Sequence, residues 1–216
     1  MLDFSVVFEH LNDLLNGLWM TTWISLLSIL IGFIFSIILC LGRLSSNTFI
    51  NFICRFYISA IRGTPLLVQL TIVFYFLPYW GINIPSIAAA IITLSMNTAA
   101  FQAEILRGGF QTIPHGQKET AWSYGYTPFQ CLYYIELPQV IRKVLPSLTN
   151  EIIDIIKNSA LISTIAVIDL MRVTQVYSST TYRPIEFFVS AGLLYLLLTS
   201  CISILGRYIE SRLTTH

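Results

Sequence analysis

Between Gly17 and Gly42 the chain carries no Asp, Glu, Lys or Arg, and an α-helix needs about twenty consecutive apolar residues to cross the hydrocarbon core of a bilayer. A run of this length has no comfortable place in a water-soluble fold, so the chain is expected to be an integral membrane protein. Asp3, Glu9 and Asp13 precede the run, whereas a cleaved leader wants basic residues there, so the run is read as a mature helix.

The rest of the sequence supports that class. Over half of the 216 residues are hydrophobic (55%) and only 11% are charged, with a mean hydropathy of +0.72; soluble domains are about a quarter charged. The net charge of +1 gives no global attraction for nucleic acid. A second uncharged stretch, Gly63 to Ala103, is broken by Pro78, Gly81 and Pro85, which stop helices. Phe187 to Gly206 is also uncharged. The spans predicted are about 16–42, 63–80, 85–106, 151–171 and 186–207, the fourth interrupted by Asp154 and Lys157. The fold class is therefore all-α, with about five transmembrane helices in a single domain over 1–216.

Positive residues in short loops stay on the cytoplasmic side. The arm before the first span has no Lys or Arg; the next connection has Arg43, Arg55 and Arg62; the one around Pro78 to Pro85 has none. Arg107, Lys118, Arg142 and Lys143 follow the third span, and Arg207 and Arg212 end the chain. Only Arg172 and Arg183 dissent. The N-terminus is thus predicted outside and the C-terminus inside, with Trp19, Trp23, Tyr79 and Trp80 near the outer interface.

The cytoplasmic segment at about 107–150 is longer than most connections and is punctuated by Pro114, Gly116, Gly125, Pro128 and Pro138. A first helix is predicted over Gln117 to Tyr124, ended by Gly125, and a second over Phe129 to Ile135 before Pro138. Glu119 lies in the first turn, where a carboxylate complements the helix dipole.

Within this segment Glu119, Thr120 and Ala121 are followed by three residues and Gly125, then by nine residues, Ile135, Glu136, Leu137 and Pro138. This spacing resembles the EAA motif of permease subunits of bacterial ATP-binding-cassette importers, with Thr120 in place of the first alanine. The stretches RGTPLLVQL, NTAAFQAEILRGG, IPHGQKETAWSYG, LPQVIRKVLPSLTNEI and IIKNSALIS resemble the polar amino-acid uptake branch, and the resemblance covers nearly the whole chain. It implies a type I importer-like permease of the bacterial inner membrane, in which Glu119 to Gly125 is a coupling helix that docks on separate ATPase subunits. Trp122, Tyr124 and Tyr126 would be the aromatic anchors of that interface, with Ile135, Leu137 and Pro138 completing the motif. The resemblance also implies an external solute-binding protein, a polar amino acid as cargo, and ATP and Mg on the partners.

The chain itself has no GxxxxGK[ST] phosphate loop, so no cofactor, catalytic residue or metal site is expected on it. Cys40, Cys54, Cys131 and Cys201 are widely spaced, and His10, His115 and His216 lie apart. Five helices are few to enclose a gated route, so a second half, a homodimer mate or a paralogue, should complete it within the membrane lipid.

Polar groups inside spans tend to face protein or water. Asn97, Phe101 and Glu104 share one helix face, with Thr98 beside them; Asn158, Ser159 and Ser163 form a second polar set. Glu104 is read either as a partner for a substrate ammonium or as a pair with Arg107 one turn on, and Asp154 with Lys157 as an internal ion pair. Asn158, an amide, weighs against strong selection for cations, but glutamine, a basic residue, cystine and an opine-like derivative stay unseparated. An ion-coupled secondary transporter or channel is the alternative function.

Overall fold

The computed structural model describes residues 3–214, and every regular element among them is helical. His216 lies outside the described residues. A short α1 (Ser5–Glu9) leads into α2 (Leu11–Leu44), followed by α3 (Thr48–Arg62) and α4 (Leu66–Thr71). A π-helical turn at Ile72–Phe76 joins α4 to α5 (Leu77–Tyr79), and α6 is Ser86–Gln111. Then come α7 (His115–Ser123), α8 (Pro128–Cys131), a second π-helical turn at Leu132–Glu136 and α9 (Leu137–Asn158). A 3-10 turn at Ser159–Ile165 precedes α10 (Leu170–Thr180) and α11 (Pro184–Thr214).

Helices α2, α6 and α11 are each long and apolar enough to span a bilayer, and the bent pair Thr48–Arg62 and Leu66–Tyr79 makes a fourth candidate. The apolar stretch of α6 is 61% buried and that of α11 only 6%, so α6 is the axis of the bundle and α11 a peripheral helix.

Bilayer tails do not drive helices together as water does, so close backbone approach carries the packing. On α2, Thr21, Ser25, Ser28, Gly32 and Ser36 are buried, a stripe of small residues at helical spacing. A Cβ on Gly32 would overlap Thr98 Cγ2 and crowd the Ser95 carbonyl at 3.0 Å on α6. The same device recurs at Gly109 against Val140 and Val144, and at Gly206 against Thr149.

Four expectations need correction. The segment 48–62, assigned to a connection, is a helix: Arg55 and Arg62 interrupt its apolar run, and only helical periodicity reveals that Ile58 packs inward while Phe49, Phe52 and Phe56 face out. The span expected at 63–80 begins only at Leu66, because Pro65 disfavours helix at Thr64, and the two halves meet at 104°.

The span expected at 151–171 is not one helix. Regular α-structure stops at Asn158; the Ser159, Ser163 and Thr164 hydroxyls then bond carbonyls three residues back, and Ala166 takes a left-handed φ of 61°. Asp169 restarts the chain by accepting from the Arg172 N–H at 3.0 Å and the Met171 N–H at 3.3 Å. Such side-chain competition with the backbone is a property of Ser, Thr and Asp.

The second short helix expected at Phe129 to Ile135 is part of a continuous helical rod over 128–158. Pro138 does not end it. A proline inside a helix lacks the N–H and clashes one turn back, and here the wider π-helical turn at Leu132–Glu136 precedes Leu137 and Pro138. Pro78 repeats the arrangement after Ile72–Phe76. Widened turns of this kind relieve the missing bond without breaking the helix.

Candidate coupling helix and solute cavity

The EAA-like segment folds into a projecting corner. Helix α7 closes with the Gly125 N–H donating to the Trp122 carbonyl at 2.9 Å and the Tyr126 N–H to the Ala121 carbonyl at 3.1 Å. These two bonds are those of a Schellman cap, which requires a left-handed residue at its centre. Gly125 supplies it with φ of +80°, and no heavy atom lies within 4 Å of where its Cβ would be. Its glycine is therefore demanded by backbone conformation, with open space beside it.

Around that cap the side chains divide. Ala121 is buried, while Glu119, Thr120, Trp122, Tyr124 and Tyr126 are exposed, Tyr124 by 81%. Gly116, Gln117, Thr120, Ala121, Tyr124, Tyr126 and Ile135 line a shallow groove of about 610 Å³. Leu137 is half-buried and Pro138 exposed. Of the motif residues, Thr120, Ala121, Tyr124, Tyr126 and Ile135 are thus brought together; Glu119 and Trp122 lie on the same short helix.

Polar bonds fasten this corner to the long rod. Lys118 Nζ is 2.7 Å from Glu136 Oε2, and Gln139 Nε2 donates to Gln117 Oε1 at 2.8 Å. Cys131 lies buried beside Glu136; burial, then the adjacent carboxylate, pushes its thiol above the ordinary cysteine range. That makes it a packed small apolar group, not a nucleophile.

The intramembrane candidates are only partly assembled. Asn97, Phe101 and Asn158 meet in a cavity of about 340 Å³, together with Glu151, Asp154 and Lys157. Asp154 and Lys157 pair at 2.8 Å as expected. The Asn97 amide donates to Gln69 Oε1 at 3.1 Å, and Gln69 Nε2 donates in turn to the Ile61 carbonyl at 2.7 Å and the Thr64 carbonyl at 3.0 Å. Gln69 therefore satisfies the carbonyls freed where α3 and α4 break, which buried backbone requires.

The other candidates fall elsewhere. Glu104 is committed to Arg107, with contacts of 3.0 and 2.7 Å, while Arg43 stands at 3.7 Å and Arg62 at 3.9 Å; of its two expected roles the ion pair holds. Thr98 fills the notch at Gly32. Ser159 and Ser163 bond their own backbone. Glu151 was missed, although Glu151, Asp154 and Asn158 stand at i, i+3 and i+7, a spacing that puts them on one face. Its buried carboxylate, 9% exposed, is the residue that periodicity would have found.

A cavity offering carboxylates, an ammonium and two amides complements a small zwitterion, and an exposed, capped aromatic corner is fastened to the rod that reaches it. Residues 28–215 match the family described as the binding-protein-dependent transport system inner membrane component. The chain belongs to this family.

Its relatives agree on the cargo class. The chain is 36% identical to the arginine transport system permease protein ArtQ of Bacillus subtilis (strain 168), over 100% of this chain and 99% of that one. It is 35% identical to the histidine/lysine/arginine/ornithine transport system permease protein HisM of Salmonella typhimurium, over 93% and 90%. Among solved structures, an amino acid ABC transporter crystallised with histidines superposes with a TM-score of 0.93 at 36% identity, covering 98% of this chain and 99% of the other. The MetNI methionine transporter, at 21% identity and a TM-score of 0.80, shares the fold. This inner-membrane component is thus a multi-pass permease subunit of a polar amino-acid ABC importer, with the type I importer fold.

Proposed function

We propose that the chain moves a polar amino acid inward through the 97/101/151/158 cavity, driven by ATPase subunits that dock on α7. One observation carries the reading: the helical rod over 128–158 holds the α7 corner at Glu136 and Gln139 and carries Glu151, Asp154 and Asn158 at its other end. From Glu136 to Asn158 a helix extends about 33 Å at 1.5 Å per residue. Displacement of the corner by a closing ATPase pair therefore reaches the cavity through one continuous helical element, with Pro146 inside it.

In this reading Glu119 to Gly125 is the coupling helix, Trp122, Tyr124 and Tyr126 are its anchors, and 107–150 is cytoplasmic. The N-terminus lies outside and the C-terminus inside. A second permease half completes the route, an external binding protein delivers the solute, and ATP and Mg stay on the ATPases. Glu151 offers its charge to the solute ammonium, while Asn97 and Asn158 offer amides to its polar groups. Of these partners Asn97 and Glu151 are buried, and groups already held in place lose little on reorganisation when a zwitterion binds.

The test is a complex reconstituted with its ATPase and binding subunits. A Gly125→Trp variant should insert and assemble, since nothing packs against that position, yet lose ATP-driven uptake. Normal uptake by the variant would remove α7 from the coupling role.

A further inference from the structure

We infer that Arg62, held between the Phe101 ring and the Glu104 carboxylate, gates the cytoplasmic floor of the cavity. This rests on the proposal that the cavity passes the solute. The bond from Gln69 to the Ile61 carbonyl and the bond from Asn97 to Gln69 fix the end of α3 beside the cavity wall. From that anchor the Arg62 guanidinium reaches over Phe101, its central carbon 5.2 Å from the ring centroid, and places Nη1 3.9 Å from Glu104 Oε2. Phe101 lines the cavity, and Glu104 stands one turn further along α6. The guanidinium therefore covers the step from one to the other.

The three arginines at Glu104 are not equivalent. Arg107 grips it with two contacts of 3.0 Å or less, and Arg43 is held additionally by Asn51 at 2.5 Å. Their side chains are 22% and 17% exposed, against 44% for Arg62. Arg62 can leave without stranding the carboxylate, because Arg107 continues to neutralise it. It also sits directly before the Gly63, Thr64 and Pro65 break, where the chain turns by 104°. A small rotation of α3 against α6 would lift the guanidinium from the ring, and its free donors would then meet the solute carboxylate as it leaves.

The gate is tested without any solute. In the full complex with Cys40, Cys54, Cys131 and Cys201 replaced, Asn158→Cys is exposed, in inside-out vesicles lacking ATP, to an anionic and a cationic membrane-impermeant thiol reagent. Arg62→Ala should raise labelling by both reagents severalfold. Arg62→Gln, which keeps the length and loses the charge, should do the same and serves where the alanine variant fails to assemble. Unchanged labelling overturns the gate, and opposite changes for the two reagents reduce Arg62 to an electrostatic influence, which also overturns it. Uptake of a labelled amino-acid mixture by the wild-type complex separately tests the transport reading.

Discussion

Lys118 Nζ lies 2.7 Å from Glu136 Oε2, and this contact joins the α7 corner to the rod that runs to the cavity. Glu136 is 8% exposed, so its charge needs a partner, while the Lys118 side chain retains 26% of its exposure. Lys118→Met should strand the carboxylate and cost about 1–3 kcal/mol, below the figure for a fully buried pair. The double variant Lys118→Met with Glu136→Met should recover most of that stability but not the coupling. Thermal unfolding in detergent, paired with the ATP-driven uptake rate, checks both statements.

At Gly125 the expected loss is conformational. A side chain in the left-handed region costs about 1–2 kcal/mol, and no neighbour would clash with it. Gly125→Ala should therefore loosen the α7 cap with the membrane helices intact, and Gly125→Asn should be milder because Asn tolerates this region. Faster protease cleavage near 124–126, with unchanged unfolding temperature of the whole chain, is the expected signature.

Gly32 makes the opposite kind of prediction. A Cβ there overlaps Thr98 Cγ2, so Gly32→Ala should part α2 from α6 and destabilise by about 1–3 kcal/mol, the usual range for overpacking. Thr98→Ser removes the obstructing methyl and should restore part of the loss. Gly192→Ala, with nothing within 4 Å, should be neutral. Measured unfolding temperatures in that order would fail if Gly32→Ala matched Gly192→Ala.

These positions differ in how visibly they stand in the sequence. Uncharged runs located α2, α6 and α11 because lipid imposes one rule on all three. Gly125 was equally legible, since a helix followed by glycine has a specific cap as its common outcome. Helix α3 was not, because Arg55 and Arg62 broke the run although its partner helices shelter Ile58. The continuous helix through Pro138 was hidden for another reason: a π-helical turn that accommodates proline depends on the hydrogen bonds of a whole turn, not on any one residue. Glu104 invited a substrate role until the fold brought Arg43 and Arg62 beside Arg107, two partners from other helices that no local spacing announces.

Glu151 yields the last prediction, and it separates binding from packing. The carboxylate opens on the cavity with Asn97 and Asn158, and a hydrogen bond to a charged group is worth about 1.5–3 kcal/mol. Glu151→Gln keeps the shape and removes the charge, so uptake should fall by roughly tenfold or more while assembly with the ATPases is retained. Asp154→Asn is the informative control. Its partner Lys157 is 55% exposed, so breaking that pair should cost under about 1 kcal/mol and leave uptake far less affected. Equal losses in the two variants would mean that the cavity responds to net charge alone, and Glu151 would then lose its place as the ammonium partner.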